Sequence, residues 1–256
     1  MARFAVIGLG EAGAAIARDL GAAGASVRGF DPAVASVDGV KVAASGPDAV
    51  RGADAVLSVN SARVAEDVAA SVAGALEPGA VFADLNTASP GAKRAVAAIV
   101  ERDGGPCFAD VALMAPVAGR GLRTPALASG AGAERFAELA GGLGMPVTAI
   151  GPEPGDAAAR KLVRSVFMKG LAAAIGEALE AADRIGARED LYSDLERTLA
   201  DADGALLARL VEGSERHAAR RADEMAAARA MLEELGVTPR IARASEAWLR
   251  SLGAGG

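Results

Sequence analysis

Arg3-Phe4-Ala5-Val6-Ile7-Gly8-Leu9-Gly10-Glu11-Ala12-Gly13, near the start of the 256-residue chain, is an apolar run that breaks at a cluster of glycines. From residue 11 to 23 the apolar positions Ala15, Ile16 and Leu20 take helical spacing, so the stretch is predicted as a strand, a glycine turn and a helix. In that context the G-x-G-x-x-G spacing has a mechanical meaning. Gly8 makes the tight turn, Gly10 lets the backbone approach a pyrophosphate, and Gly13 lets helix and strand pack closely. The helix N-terminus, with unpaired N–H groups and a favourable dipole, receives the phosphates. Gly8, Leu9, Gly10, Glu11, Ala12 and Gly13 are therefore the first cofactor-binding candidates.

Outward from this turn, short apolar runs at 25–30, 54–59, 80–84, 107–113, 126–129 and 147–150 alternate with helical stretches at 47–51, 62–75, 89–102 and 133–142. That alternation predicts an α/β Rossmann domain, a doubly wound and largely parallel sheet, over residues 1–154. After Gly151-Pro152-Glu153-Pro154-Gly155 the pattern changes, and 155–256 read as an all-α substrate and dimerisation domain. One helix is predicted over 156–185, about 45 Å long at 1.5 Å per residue. Its middle, with Val163, Val166, Phe167, Met168, Leu171 and Ile175, is apolar on nearly every face. Such a helix must be surrounded, which predicts a homodimer through this helix and the C-terminal domain.

Composition narrows the function. There are 27 basic and 33 acidic residues, a formal charge of −6, and no long unopposed basic run, so nucleic acid is not expected as a partner. One cysteine, Cys107, and one histidine, His217, cannot build a common zinc site or an internal disulfide; no metal and a reducing cytoplasm are expected. Charged residues punctuate every helix-like run, and the opening apolar stretch is too short for a signal core, so neither a membrane span nor a leader is expected. Only four of the basic residues are lysines, Lys41, Lys93, Lys161 and Lys169. A lysine retained inside a helix of so arginine-biased a chain invites a reason.

Asp31 follows the second strand, 18 residues beyond Gly13, where a carboxylate accepts hydrogen bonds from the adenosine ribose. A 2′-phosphate about 4 Å away would meet repulsion of roughly 4 kcal/mol at an effective dielectric of 20. Pro32-Ala33-Val34-Ala35 supplies no cation to offset it, although Arg28 lies within reach in sequence. NAD is thus expected in preference to NADP. Asn60, just past the third of these runs, joins the cofactor-binding candidates.

Asp84-Leu85-Asn86-Thr87-Ala88-Ser89-Pro90 falls between a strand and a helix and closely resembles the D-x-[SN]-T-x-S-P signature of the β-hydroxyacid dehydrogenases, the family of 3-hydroxyisobutyrate and 6-phosphogluconate dehydrogenases. Ala115-Pro116-Val117-Ala118-Gly119 is similar to that family's A-P-V-S-G substrate loop, with Ala118 in place of the serine. Gly155 through Lys161 resembles its G-x-x-x-x-x-K segment, and Lys161 falls on the catalytic lysine. Ser165 stands where the family usually has asparagine, one helical turn on. Lys161 to Gly170 and Arg216 to Met225 look most like a bacterial sub-branch whose phosphogluconate-dehydrogenase-like C-terminal domain has no assigned function.

The resemblance implies an NAD(P)-dependent dehydrogenase acting on a small anionic hydroxy acid, with Lys161 as general acid/base. That role requires a lysine whose pKa is lowered by apolar neighbours or a nearby cation. Thr87 is implied at the cofactor, and Asn86, Thr87, Ala118, Gly119, Ser165, Lys169 and Arg220 at the substrate. Each has a plainer reading: Lys169 as a snorkelling lysine, the cluster around Arg220 as a solvated face with Arg220 and Glu224 paired at i, i+4. An imine reductase or an oxidative decarboxylase on the same scaffold, or a nicotinamide-binding module without turnover, are the alternatives.

Overall fold

The computed structural model describes residues 1–253. The chain divides into two compact units, Met1–Arg164 and from Ser165 onward. The first contains strands β1 (Arg3–Ile7), β2 (Ser26–Phe30), β3 (Lys41–Val42), β4 (Ala55–Ser58), β5 (Val81–Asp84), β6 (Cys107–Leu113), β7 (Ala126–Ser129) and β8 (Val147–Ala149). Helices α1 (Glu11–Ala22), α2 (Gly46–Val50), α3 (Ala65–Ala73), α4 (Pro90–Val100) and α5 (Ala133–Gly141) alternate with them. They make one sheet in the order β3-β2-β1-β4-β5-β6-β7-β8, parallel except for the β6–β7 pair.

Alternation along each strand sends side chains to two apolar layers. Phe4, Val6, Leu57, Val81 and Val111 join Ile16 and Leu20 of α1 and Phe136 of α5 on one face. Ala5, Ile7, Val56, Phe82 and Phe108 join Val50 of α2, Val72 of α3 and Val96 and Val100 of α4 on the other. With both faces covered, the strands read as nearly continuous apolar runs. β3 was not predicted: at two residues on the sheet's edge it leaves no periodicity to read.

Chain order reverses between β1 and β4, because β2 and β3 are laid to one side of β1 and β4 onward to the other. The connections that leave the paired carboxyl ends of these two strands therefore run to opposite sides and open a crevice, the place where open α/β sheets bind ligands.

α6 (Asp156–Arg184) follows as one helix of 29 residues, and the division between compact units falls inside it. The second unit adds α7 (Arg188–Ala200), α8 (Gly204–Arg216), α9 (Ala218–Glu234) and α10 (Arg240–Gly253), with no strand among the described residues. Ala181, Leu232, Val237 and Ala242 form its small core. The Glu177 carboxylate accepts the N–H groups of Ile241 and Ala242, both at 2.8 Å, and so caps α10 from α6. An apolar cavity of about 550 Å³ lies in this unit among Ala174, Ala181, Leu191, Met225, Leu232 and Ile241. The fold is a Rossmann-type α/β sheet followed by an all-helical region, as the strand and helix pattern predicts.

Candidate functional site

The glycine turn joins β1 to α1 at the crevice. Gly8 has φ +99, and a Cβ there would collide with the Val59 carbonyl oxygen; one at Gly13 would collide with the Gly8 carbonyl oxygen. These two glycines are required by packing alone. Gly10 differs: its φ of −62 suits any residue, and a Cβ there would meet nothing within 4 Å. Open space above a backbone at a helix start is what an approaching phosphate needs. No side chain caps α1, whereas Ser45 caps α2 and Ser89 caps α4, so its first-turn N–H groups remain suited to an anion. Leu9 is buried and lies over Gly29, where a Cβ would come within 2.9 Å of it.

Asp31, at the end of β2, accepts the Leu9 N–H on Oδ2 and the Ala33 N–H on Oδ1, both at 2.8 Å. It both stabilises the turn before Pro32 and fastens the glycine loop, and each oxygen keeps a lone pair for a ribose hydroxyl. Arg28 hydrogen-bonds instead to the carbonyls of Asp48 and Arg51. Gly8, Asp31, Asn60, Ser61 and Val64 line one cleft of about 590 Å³, with Ser45 and Pro47 at its side. This is the size and place for the adenosine end of a dinucleotide.

A second feature of this edge escaped the sequence reading. Register aligns Ile7 with Ser58, Ser58 with Asp84, Asp84 with Asp110, and Asp110 with Ser129, a polar row across neighbouring strands. Ser58, Asp84, Asp110 and Ser129 are completely buried, and Lys93 of α4, 1% exposed, reaches into the row. Its Nζ donates to the Asp84 carbonyl at 2.8 Å and to Asp84 Oδ2 at 3.0 Å. It lies 3.2 Å from Asp110 Oδ1, which has no other polar partner among the described residues. Two carboxylates on adjacent strands repel, and an isolated buried ammonium costs several kcal/mol; together they offset each other. The scarcity of lysine was the one signal in the sequence, with a charge in each of two apolar strand runs as its counterpart.

Asn86 is buried. Its amide donates to Asp84 Oδ1 at 2.6 Å, Ser58 Oγ at 3.2 Å and Asn60 Oδ1 at 3.2 Å, and its Oδ1 accepts the Asn60 N–H at 2.6 Å. The Asn60 side chain in turn donates to the Ile7 carbonyl at 2.8 Å. The two asparagines thus clasp the ends of β1, β4 and β5 beneath the crevice, while Thr87 is exposed beside them.

The row also governs the start of α6. Gly155 has φ +101, and a Cβ there would lie 2.9 Å from the Pro90 carbonyl oxygen. The Ala157 N–H donates to Ser129 Oγ at 3.0 Å and the Ala158 N–H to Asp110 Oδ2 at 2.8 Å. Lys161, half-buried, follows in the second turn.

Ala118 and Gly119, exposed, share a depression of about 410 Å³ with Glu11 and with Arg18, Arg120 and Arg123, cations the sequence reading had not singled out. Ser165 and Lys169 lie on α6 in the second unit, Ser165 half-buried and Lys169 exposed. Arg220, also exposed, pairs with Glu224 at 2.7 Å. His217 sits at the junction of α8 and α9, and Cys107, half-buried, opens β6. Among the described residues no three His, Cys, Asp or Glu side chains converge as metal ligands, and no helix is long and apolar enough to cross a membrane.

A glycine turn at the switch point of a doubly wound sheet, followed by a long helix and a helical unit, defines a nicotinamide-dinucleotide-binding oxidoreductase class. Residues 3–124 match the NAD binding domain of 6-phosphogluconate dehydrogenase, and residues 182–252 match a domain of unknown function (DUF1932). A probable 3-hydroxyisobutyrate dehydrogenase of Mycobacterium bovis is 36% identical over 148 residues, 56% of this chain and 46% of that protein's length, so the match spans about half of the relative. A conserved protein of unknown function, described as structurally similar to 3-hydroxyacid dehydrogenases, is 29% identical, covers 98% of each chain and superposes with a TM-score of 0.65. An imine reductase of Myxococcus stipitatus, solved with NADP+, is 21% identical with a TM-score of 0.84, covering 99% of this chain and 95% of its own; a variant of it was solved with NAD+. These likenesses support the β-hydroxyacid dehydrogenase family for this chain, and the match over residues 3–124 supports a nicotinamide cofactor in the first unit.

Proposed function

We propose that the protein is an NAD-dependent dehydrogenase for a small β-hydroxy acid or an anionic analogue, with Lys161 as the general acid/base. The observation that carries this reading is the placement of Lys161 in the second turn of a helix whose first turn is fastened to the polar row under the Asn86 loop. The cofactor, when bound, takes up the hydrogen and electron pair released from the substrate carbon. Lys161 Nζ accepts the hydroxyl proton as the carbonyl forms, and returns it in the reverse direction. Thr87 and the backbone at Ala118 and Gly119 face the substrate, and the arginines beside that loop favour an anion. Asp31, with Arg28 engaged elsewhere, supports NAD over NADP. Val163, Val166 and Phe167 on α6 are 73%, 75% and 63% exposed, an apolar surface that supports a homodimer as the working form.

The reading is tested by following NAD reduction at 340 nm against a panel of 3-hydroxy acids. Wild type should oxidise at least one, and Lys161→Ala should lose on the order of 10²- to 10⁴-fold in turnover while binding NADH as before. Near-normal turnover of the variant would remove Lys161 from the chemistry.

A further inference from the structure

Lys93 is a fully buried cation to which the proposed reaction gives no part. Its surroundings point away from a solvent or ligand role and toward α6. The first turn of that helix has no local side-chain cap, because it is preceded by Gly155, which has no side chain and where a Cβ would lie 2.9 Å from the Pro90 carbonyl oxygen. Its N–H groups at Ala157 and Ala158 are satisfied instead by Ser129 Oγ and Asp110 Oδ2, residues of β7 and β6. The other oxygen of Asp110 faces Lys93 Nζ, and Lys93 also holds Asp84, whose second oxygen holds Asn86.

We infer that Lys93, Asp84 and Asp110 are positioning residues: they lock the first turn of α6, and so Lys161, in register with the Asn86–Pro90 loop. Lys161 is three residues beyond Ala158, less than one helical turn, so its backbone moves with that turn. The charges are arranged for this purpose. Two carboxylates against one ammonium leave one negative charge in apolar surroundings, and the N-terminus of α6, equivalent to about half a positive charge, faces it. Without the ammonium the two carboxylates, on strands about 4.8 Å apart, have only their mutual repulsion to relieve, and Asp110 turns away from Ala158. The helix start then loses its fixed seat. A misplacement of about 1 Å at a reacting group costs about 10²-fold in rate, so a small slip is sufficient. The catalytic half of this inference rests on the role proposed for Lys161; the structural half does not.

The test compares Ser129→Ala, Ser129→Thr, Lys93→Met and Asp110→Asn with wild type. Ser129→Ala removes the hydroxyl that accepts from Ala157 N–H and donates, at 3.5 Å, to Asp110 Oδ2 while keeping the fold; Ser129→Thr restores the hydroxyl, and Lys93→Met removes the charge at similar length. Three quantities are measured: NADH affinity by fluorescence titration, kcat and KM for the hydroxy acid that wild type oxidises, and amide hydrogen exchange. For Ser129→Ala the NADH Kd and the KM should stay within about threefold of wild type while kcat falls at least about tenfold, the signature of an interaction felt only in the reaction step. Ser129→Thr should recover most of that loss. Exchange at Ala157 and Ala158 should quicken at least about tenfold, with the amides of β1, β4 and β5 unchanged. Lys93→Met should do the same more strongly, and so should Asp110→Asn, which keeps the side-chain size and removes the charge between Lys93 and Ala158; if Lys93→Met does not fold, Asp110→Asn decides for the triad.

The inference is overturned if kcat in Ser129→Ala stays within about twofold of wild type, if kcat and NADH affinity fall together, or if exchange at Ala157 and Ala158 does not change. If wild type oxidises no hydroxy acid, or Lys161→Ala stays active, the proposed reaction fails. The exchange measurement still decides whether the triad holds the helix start.

Discussion

Replacing Gly10 by alanine separates ligand binding from folding at the glycine turn. The residue has φ −62 and ψ −170, which alanine adopts without strain, and its added methyl meets no protein atom within 4 Å. Alanine is a poorer N-cap than glycine by about 0.5–1 kcal/mol, and it restricts the unfolded chain by about 0.4–1 kcal/mol in the stabilising direction. The two nearly cancel, so stability should move by less than about 0.5 kcal/mol and Tm by less than about 2 °C. The cofactor meets a different surface. A methyl standing where the pyrophosphate approaches the backbone should raise the NADH Kd at least about 30-fold, roughly 2 kcal/mol. Gly13→Ala gives the opposite pattern, since its methyl strikes the Gly8 carbonyl oxygen and should destabilise the fold by about 1–3 kcal/mol. Thermal unfolding and calorimetric titration with NADH on the two variants make the comparison. Wild-type affinity in a normally folded Gly10→Ala protein would refute the placement of the pyrophosphate.

Asp31 should set the cofactor choice: wild type should bind NADH more tightly than NADPH, and Asp31→Ser should narrow the ratio at least about tenfold in parallel titrations; tighter NADPH binding by wild type would contradict the charge argument. Glu177→Ala leaves the Ile241 and Ala242 amides uncapped and should cost about 1–2 kcal/mol, read as a lower Tm; an unchanged Tm would show that water caps α10 equally well. Hydrogen bonding from Arg3 holds the Asp54 carboxyl below its ordinary value of 3.8. A carboxylate with a lowered folded pKa contributes stability above its unfolded value and loses it as pH falls through the folded one. Asp54→Asn should therefore be less stable than wild type at pH 7, with a gap that closes below about pH 4. A gap of constant size would place the effect elsewhere.

How far the sequence carries depends on the kind of order involved. The glycine turn, seven of the strands and the length of α6 are local patterns, and period and punctuation reveal them. β3 is invisible because two residues have no period; the strand β7 is legible but its reversed direction is not, because periodicity carries no direction. The row from Ser58 to Ser129 depends on register between strands far apart in the chain, which no window of sequence contains. Lys93 illustrates the limit: its rarity was legible, its two carboxylates were not. The motif makes Asn86 a substrate candidate and a place after a strand makes Asn60 a cofactor candidate; the structure shows their amides engaged with each other and with strand ends. Arg220 shows the converse, since its pairing with Glu224 followed from helical spacing alone.

The seating of α6 on Ser129 and Asp110 also ties the start of the helix to the finished sheet. The cap partners lie 28 and 48 residues upstream of the amides they receive, and the reversed strand β7 must pair with β6 before either is in place. The amides of the helix's first turn find these caps only where β6 and β7 are paired. Lys161 lies in the turn that follows, so the site proposed around it is organised only in a chain whose strands β6 and β7 are paired.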